Sequence, residues 1–200
     1  MSPAALGRAL REHRIRTVLN LRGPNPRERW YRDELRTTLE SGATQVDVPL
    51  SSCVWMSRVQ LRGLIRILEA SEYPLIVHCA WGSERTGLTA AISELLRPGG
   101  TLESARGQLA IRYLYVPLGD GRIMGEFVEQ YADWLRARGL AHDPVAFRRW
   151  AEEGYSPGNP SREAWPYDPT PLSVETRPGG PTQQVAGATP DPRRPSSARR

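Results

Sequence analysis

The chain has no lysine; all 27 of its basic residues are arginine. Cysteine is scarce, present only as Cys53 and Cys79, and histidine is limited to His13, His78 and His142. Each shortage excludes something. Two cysteines do not make the disulfide framework of a small secreted domain, so a reducing, cytoplasmic setting is expected. Histidines this scattered suggest no metal cluster, and no cofactor is expected. No apolar run approaches the roughly 18–20 residues of a membrane span. The stretch from Met1 to Arg8 lacks the apolar centre of a signal peptide, so no membrane partner is expected. The net charge of +5 is interleaved with acids instead of gathered in one patch, which argues against a nucleic-acid partner. The arginine bias reads as that of a GC-rich bacterial genome, although the planar guanidinium does suit phosphate oxygens.

With 200 residues and 39% hydrophobic content, the chain can build one real core and still carry a polar tail. Helical spacing appears over 3–13, where Leu6 and Leu10 share a face, and over 27–40, which Gly42 ends. It recurs over 57–71, 86–96, 101–113, 122–138 and 144–153. Pro98-Gly99-Gly100 separates two of these helices, and Thr101 can cap the second. Short apolar runs over 14–21, 44–50 and 74–78 read as strands. This alternation predicts an α/β fold with a central, mostly parallel sheet flanked by helices. From about Ser156 the chain is crowded with proline and glycine, so residues 1–155 read as the domain and 156–200 as a disordered tail.

The densest chemistry lies in Val77-His78-Cys79-Ala80-Trp81-Gly82-Ser83-Glu84-Arg85-Thr86-Gly87. A strand runs into a cysteine, a short loop follows, and a helix begins. Loop amides and the helix dipole then point positive charge at one spot. Such a site lowers a thiol pKa from about 8.5 to roughly 3.5–7.5. The same donors suit a phosphate dianion. A buried, inert cysteine beside a chance arginine is the competing reading, and the flanking residues weigh against it.

This pattern resembles the signature of the cysteine-dependent protein tyrosine phosphatases, in which His-Cys is followed by five residues, Arg, and Ser or Thr. The run Ile15-Arg16-Thr17-Val18-Leu19-Asn20-Leu21-Arg22-Gly23 is similar to a strand of their compact dual-specificity members in bacteria and fungi, among them inositol-pyrophosphate phosphatases. The resemblance covers about 3–157. It implies a phosphatase fold and hydrolysis of phosphate monoesters through a phosphocysteine. Cys79 is then the nucleophile, Arg85 the clamp on the phosphoryl oxygens, and Thr86 a hydroxyl that helps the thiolate leave. Ala80, Trp81, Gly82, Ser83, Glu84 and Gly87 complete the substrate-binding loop, and His78 orients it.

The substrate implied is a phosphorylated protein or a small phosphorylated molecule. An inositol polyphosphate or pyrophosphate phosphatase and a weakly catalytic phosphate-binding module are the alternatives; rhodanese-type or arsenate-reductase-type chemistry is disfavoured by Arg85-Thr86-Gly87. The resemblance also implies that 146–150 and Tyr155 pack on the domain. Two features depart from it. The strand that usually precedes the first helix is missing, so a bare sheet edge is expected. The general-acid aspartate after the second strand is replaced by Ser51, Ser52 and Cys53, leaving Asp47, Glu84 and Asp120 as candidates. Arg22, Asn25 and Arg27 are candidates for the same crevice, and Cys53 for a partner that traps oxidised Cys79.

Overall fold

A computed structural model describes residues 2–158 and 173–185. Four of its helices begin where the sequence supplies a cap. Ser2 Oγ accepts the Ala5 amide at 3.2 Å, with Pro3 opening α1 (Pro3–Glu12). Ser57 and Gln60 form a reciprocal capping box before α3 (Arg58–Ala70), and Thr101 and Ser104 form another before α5 (Leu102–Gln108). Asp143 caps α7 (Pro144–Arg149). The remaining helices are α2 (Arg29–Glu40), α4 (Glu84–Leu96) and α6 (Ile123–Arg136). Among the described residues, no helix is long and apolar enough to cross a membrane.

The strands β1 (Thr17–Asn20), β2 (Thr44–Asp47) and β3 (Leu75–His78) are parallel, with β1 in the middle. Two further strands, β4 (Ser173–Thr176) and β5 (Gln183–Val185), extend the sheet in the order β3-β1-β2-β4-β5. Both join antiparallel, so the sheet is mixed.

This hairpin lies inside the stretch 156–200, which the sequence led us to expect as a mostly disordered tail. Val174 and Thr176 are β-branched and suit a pleated surface. The proline and glycine that read as breakers, Pro178, Gly179 and Gly180, sit in the turn between the two strands, where they belong. The rest of the expected tail, 159–172 and 186–200, lies outside the described residues. At the other side of the sheet β3 is an edge strand, and no described strand pairs with its outer side. The expected bare edge is thus that of the strand leading into Cys79.

One expected helix ends early. The stretch 101–113 stops at Gln108, and Ile111–Tyr113 makes a separate 3₁₀ turn, after which the Leu114 carbonyl accepts from Ser83 Oγ at 2.9 Å. After α7 the chain continues as one wide turn, Trp150–Gly154. Its aromatic residues finish the core. Phe127, Tyr131, Phe147, Trp150 and Tyr155 are fully buried or nearly so, with ring centroids 5.1–5.7 Å apart in edge-on and tilted pairs. The Tyr155 hydroxyl donates to Met56 O at 2.6 Å, tying this end of the domain to the segment after β2.

Candidate active site

The site forms beyond the carboxyl ends of the three parallel strands, where open α/β sheets bind their ligands. Strand alternation sets its chemistry. Asn20, Asp47 and His78 are register partners across β2, β1 and β3, so all three project from the same face, toward α2. That face is polar at this end. Asp47 is fully buried and accepts hydrogen bonds from Tyr31 Oη at 2.6 Å, Asn20 Nδ2 at 2.8 Å and Gln45 Nε2 at 3.2 Å. Burial pushes its carboxyl up, and these three donors only partly offset that. The same Gln45 amide donates to Glu34 Oε1 at 3.0 Å, bridging two carboxylates.

Glu34 Oε1 in turn lies 3.1 Å from His78 Nε2, while His78 Nδ1 lies 3.3 Å from the Cys79 carbonyl. Both ring nitrogens therefore face acceptors, and the doubly protonated imidazolium is the form that satisfies both. Burial alone would lower the His78 pKa; the hydrogen bond and charge of Glu34 outweigh it and hold it above the ordinary value.

The loop after β3 carries Cys79, which is 8% exposed. Its Sγ accepts the Gly82 amide at 3.2 Å. Gly82 sits at φ +74°, a backbone conformation in which a side chain would be strained. Burial of the sulfur favours the thiol. The Thr86 hydroxyl and the amides of Trp81, Thr86 and Gly82 favour the thiolate more, and the Cys79 pKa lies below its ordinary value. Thr86 Oγ1 is buried and meets strict hydrogen-bond geometry with no partner, the sulfur included. Its effect on Cys79 is thus that of a nearby dipole, and the Gly82 amide is the firmer contact.

Arg85, in the first turn of α4, directs Nη1 to Leu50 O at 3.2 Å and Leu21 O at 3.4 Å, strapping together the chain beyond β1 and β2. Its Nε is buried without a partner. An orphan guanidinium N–H at the end of the loop that carries the lowered thiol is a donor that a bound oxyanion would satisfy. The other loop residues divide. Ala80 lines a groove with Cys79, Trp81 is 86% exposed, and Ser83 is buried with its hydroxyl bound to Leu114. A Cβ on Gly87 would lie 3.0 Å from Gln108 O, so glycine lets α4 approach α5 closely.

The structure also sorts the candidate acids. Asp47 is locked in its buried network, away from solvent, because its strand position faces α2. Glu84 packs beside Gly121. Asp120 belongs to the turn Gly119–Arg122, and its side chain lies outside the described atoms. Cys53 is exposed whereas Cys79 is buried, and no disulfide joins them. Sequence reasoning missed Glu34, Gln45, Asn20 and Tyr31. Polar residues inside the buried strands 17–20 and 44–47 were a usable signal; nothing distinguished Glu34 from the other helix acids.

Residues 4–100 match a family model, Tc-R-P, described as a polymorphic toxin system DSP-PTPase phosphatase. No curated protein and no solved structure gave a match. The matched stretch contains β1, β2, β3, the cysteine loop and α4, and over those residues the chain is similar to this dual-specificity-phosphatase-like family of phosphatases.

Proposed function

We propose that the chain hydrolyses phosphate monoesters through a phosphocysteine on Cys79. The observation that carries this reading is the buried sulfur with a lowered pKa, set in the same loop as the unsatisfied Arg85 Nε–H. In the first step the Cys79 thiolate attacks phosphorus in line; the S–P bond forms as the P–O bond to the leaving group breaks. The free Nε edge of Arg85 and the loop amides take the charge on the equatorial oxygens. In the second step water attacks phosphorus, the P–S bond breaks, inorganic phosphate leaves and the thiolate returns. Thr86 Oγ1, with no other partner, stabilises that departing thiolate. Glu34 favours the protonated form of His78, one residue from the sulfur.

No described carboxylate hydrogen-bonds within the loop, and Asp47 is committed elsewhere. The preferred leaving groups are therefore those needing least protonation, such as aryl phosphates and phosphoanhydrides. The family's description refers to polymorphic toxin systems, and we extend that setting to this chain: its substrate is a phosphorylated molecule of a target cell.

The test is hydrolysis of 4-nitrophenyl phosphate with acid-quench trapping of the phosphoenzyme. Wild type turns over and carries one phosphoryl label on Cys79, and Cys79→Ser loses turnover by at least about a thousandfold. Phosphate binding without turnover in wild type overturns the enzymatic reading in favour of a binding module.

A further inference from the structure

An open groove of about 460 Å³ runs from Cys79 and Ala80 between α1 and α2. Its charged side chains are Arg22, Arg29, Asp33, Glu34 and His78. Both acids already have basic partners. Glu34 is paired with His78 at 3.1 Å, and Asp33 with Arg36 at 2.8 Å and Arg29 at 3.5 Å. Arg22 is different. It is half-buried, and none of the described ion pairs uses it.

Its guanidinium carbon lies 3.5 Å from the centroid of the Trp30 ring, so the cation is held flat against an indole. Its own amide donates to Asn20 Oδ1 at 3.0 Å, which ties it to the polar row under the site. A stacked guanidinium leaves its N–H edge free for a fork of two oxygens, and its ordering is already complete before a ligand arrives. The neighbouring candidates serve otherwise. Asn25 Nδ2 closes the turn on Gly23 O at 2.8 Å, and Arg27 does not line the groove.

We propose that Arg22, stacked on Trp30, is the centre of a second anion subsite in the groove beside Cys79, and that the substrate is a small molecule with a second anionic group, phosphate or carboxylate, besides the phosphoryl group transferred. The substrate class rests on the phosphatase reading; the subsite does not. The phosphoryl group to be cleaved sits over the sulfur, and the second anion is held by Arg22, which no acid among the described residues compensates. Arg29, already shared with Asp33 and 89% exposed, adds only screened charge at the mouth.

The test uses the full chain and three series of one to six methylenes: alkyl monophosphates, ω-phosphorylated carboxylates and α,ω-alkanediol bisphosphates. Each is measured as an inhibitor of 4-nitrophenyl phosphate hydrolysis and by calorimetric titration. The bisphosphate or phosphocarboxylate of optimal length binds about tenfold or more tightly than the matching monophosphate. Which of the two binds better identifies the second anion. Arg22→Gln removes that preference, and Arg22→Lys, which keeps the charge without the stack, retains part of it. Equal affinity across the series in wild type overturns the subsite. So does a preference that survives in a folded Arg22→Gln protein. Preferential binding without hydrolysis leaves the subsite standing and removes the phosphatase reading; hydrolysis without preference does the reverse.

Discussion

The two faces of the sheet are made of different chemistry, although they share the same strands. One face carries Leu19, Val46 and Val77 and packs on α3, α4, α6 and α7 in a large apolar core that ends in the aromatic cluster around Trp150. The other carries Val18 and Ile76 against Leu6, Leu10, Ile15 and Ala43 in a small apolar cluster. At its carboxyl end it turns into the polar row Asp47, Asn20 and His78. A one-residue step along each strand switches between the two. The first face holds the domain together; the second holds the charge next to Cys79. The division teaches that stability and reactivity can be altered separately here, since the groups governing each lie on opposite sides of three short strands.

The largest effect expected is on the apolar face. Trp150→Ala empties a fully buried site and lowers unfolding free energy by about 3–5 kcal/mol. Chemical denaturation measures the loss, and iodoacetamide alkylation followed against pH, on the protein that remains folded, shows the Cys79 midpoint unmoved. A shifted midpoint would break the separation.

On the polar face Glu34→Gln removes the charge that holds His78 protonated. The alkylation midpoint of Cys79 moves to higher pH, with a stability loss of about 1–3 kcal/mol. The sign of its pH dependence follows from the raised His78 pKa. In wild type the His78–Glu34 pair contributes fully below the ordinary histidine value, and that contribution is lost as pH rises through the raised value. Glu34→Gln flattens that slope. Glu34→Asp, which keeps the charge, restores part of both effects; a purely structural role would move stability without moving the thiol.

The smallest effect is expected at Asp47. Its folded pKa is raised, so its contribution falls as pH climbs from the ordinary carboxylate range through the raised value. An asparagine there can accept from Asn20 and Gln45 and donate to Tyr31. Asp47→Asn therefore stays within about 1 kcal/mol of wild type at neutral pH and gains relative to it as pH rises. It retains 4-nitrophenyl phosphate hydrolysis. A collapse of activity with the fold intact would return Asp47 to the role of general acid.

Much of this was legible in local pattern. The strand-loop-helix run from Val77 to Gly87, the cap at Thr101 and the positions of the three strands rest on patterns within a few residues, where spacing and side-chain type decide; the pairing of those strands does not. The hairpin 173–185 was not legible. Its strands are short, and their pairing energy comes from β2, more than a hundred residues away in the chain. Glu34 was hidden for the same reason, since a helix acid acquires meaning only when His78 and Gln45 arrive beside it.

What the amino-acid order indicated alone was the cysteine loop: a cysteine placed after an apolar strand and before a helix start has its own nearby amides around it. What tertiary structure alone decided was the company that loop keeps. Parallel register set Asn20, Asp47 and His78 in one row, and helix packing delivered Glu34 to that row and Arg22 to the groove, because groups distant in the chain meet only when the sheet and its two layers close around them.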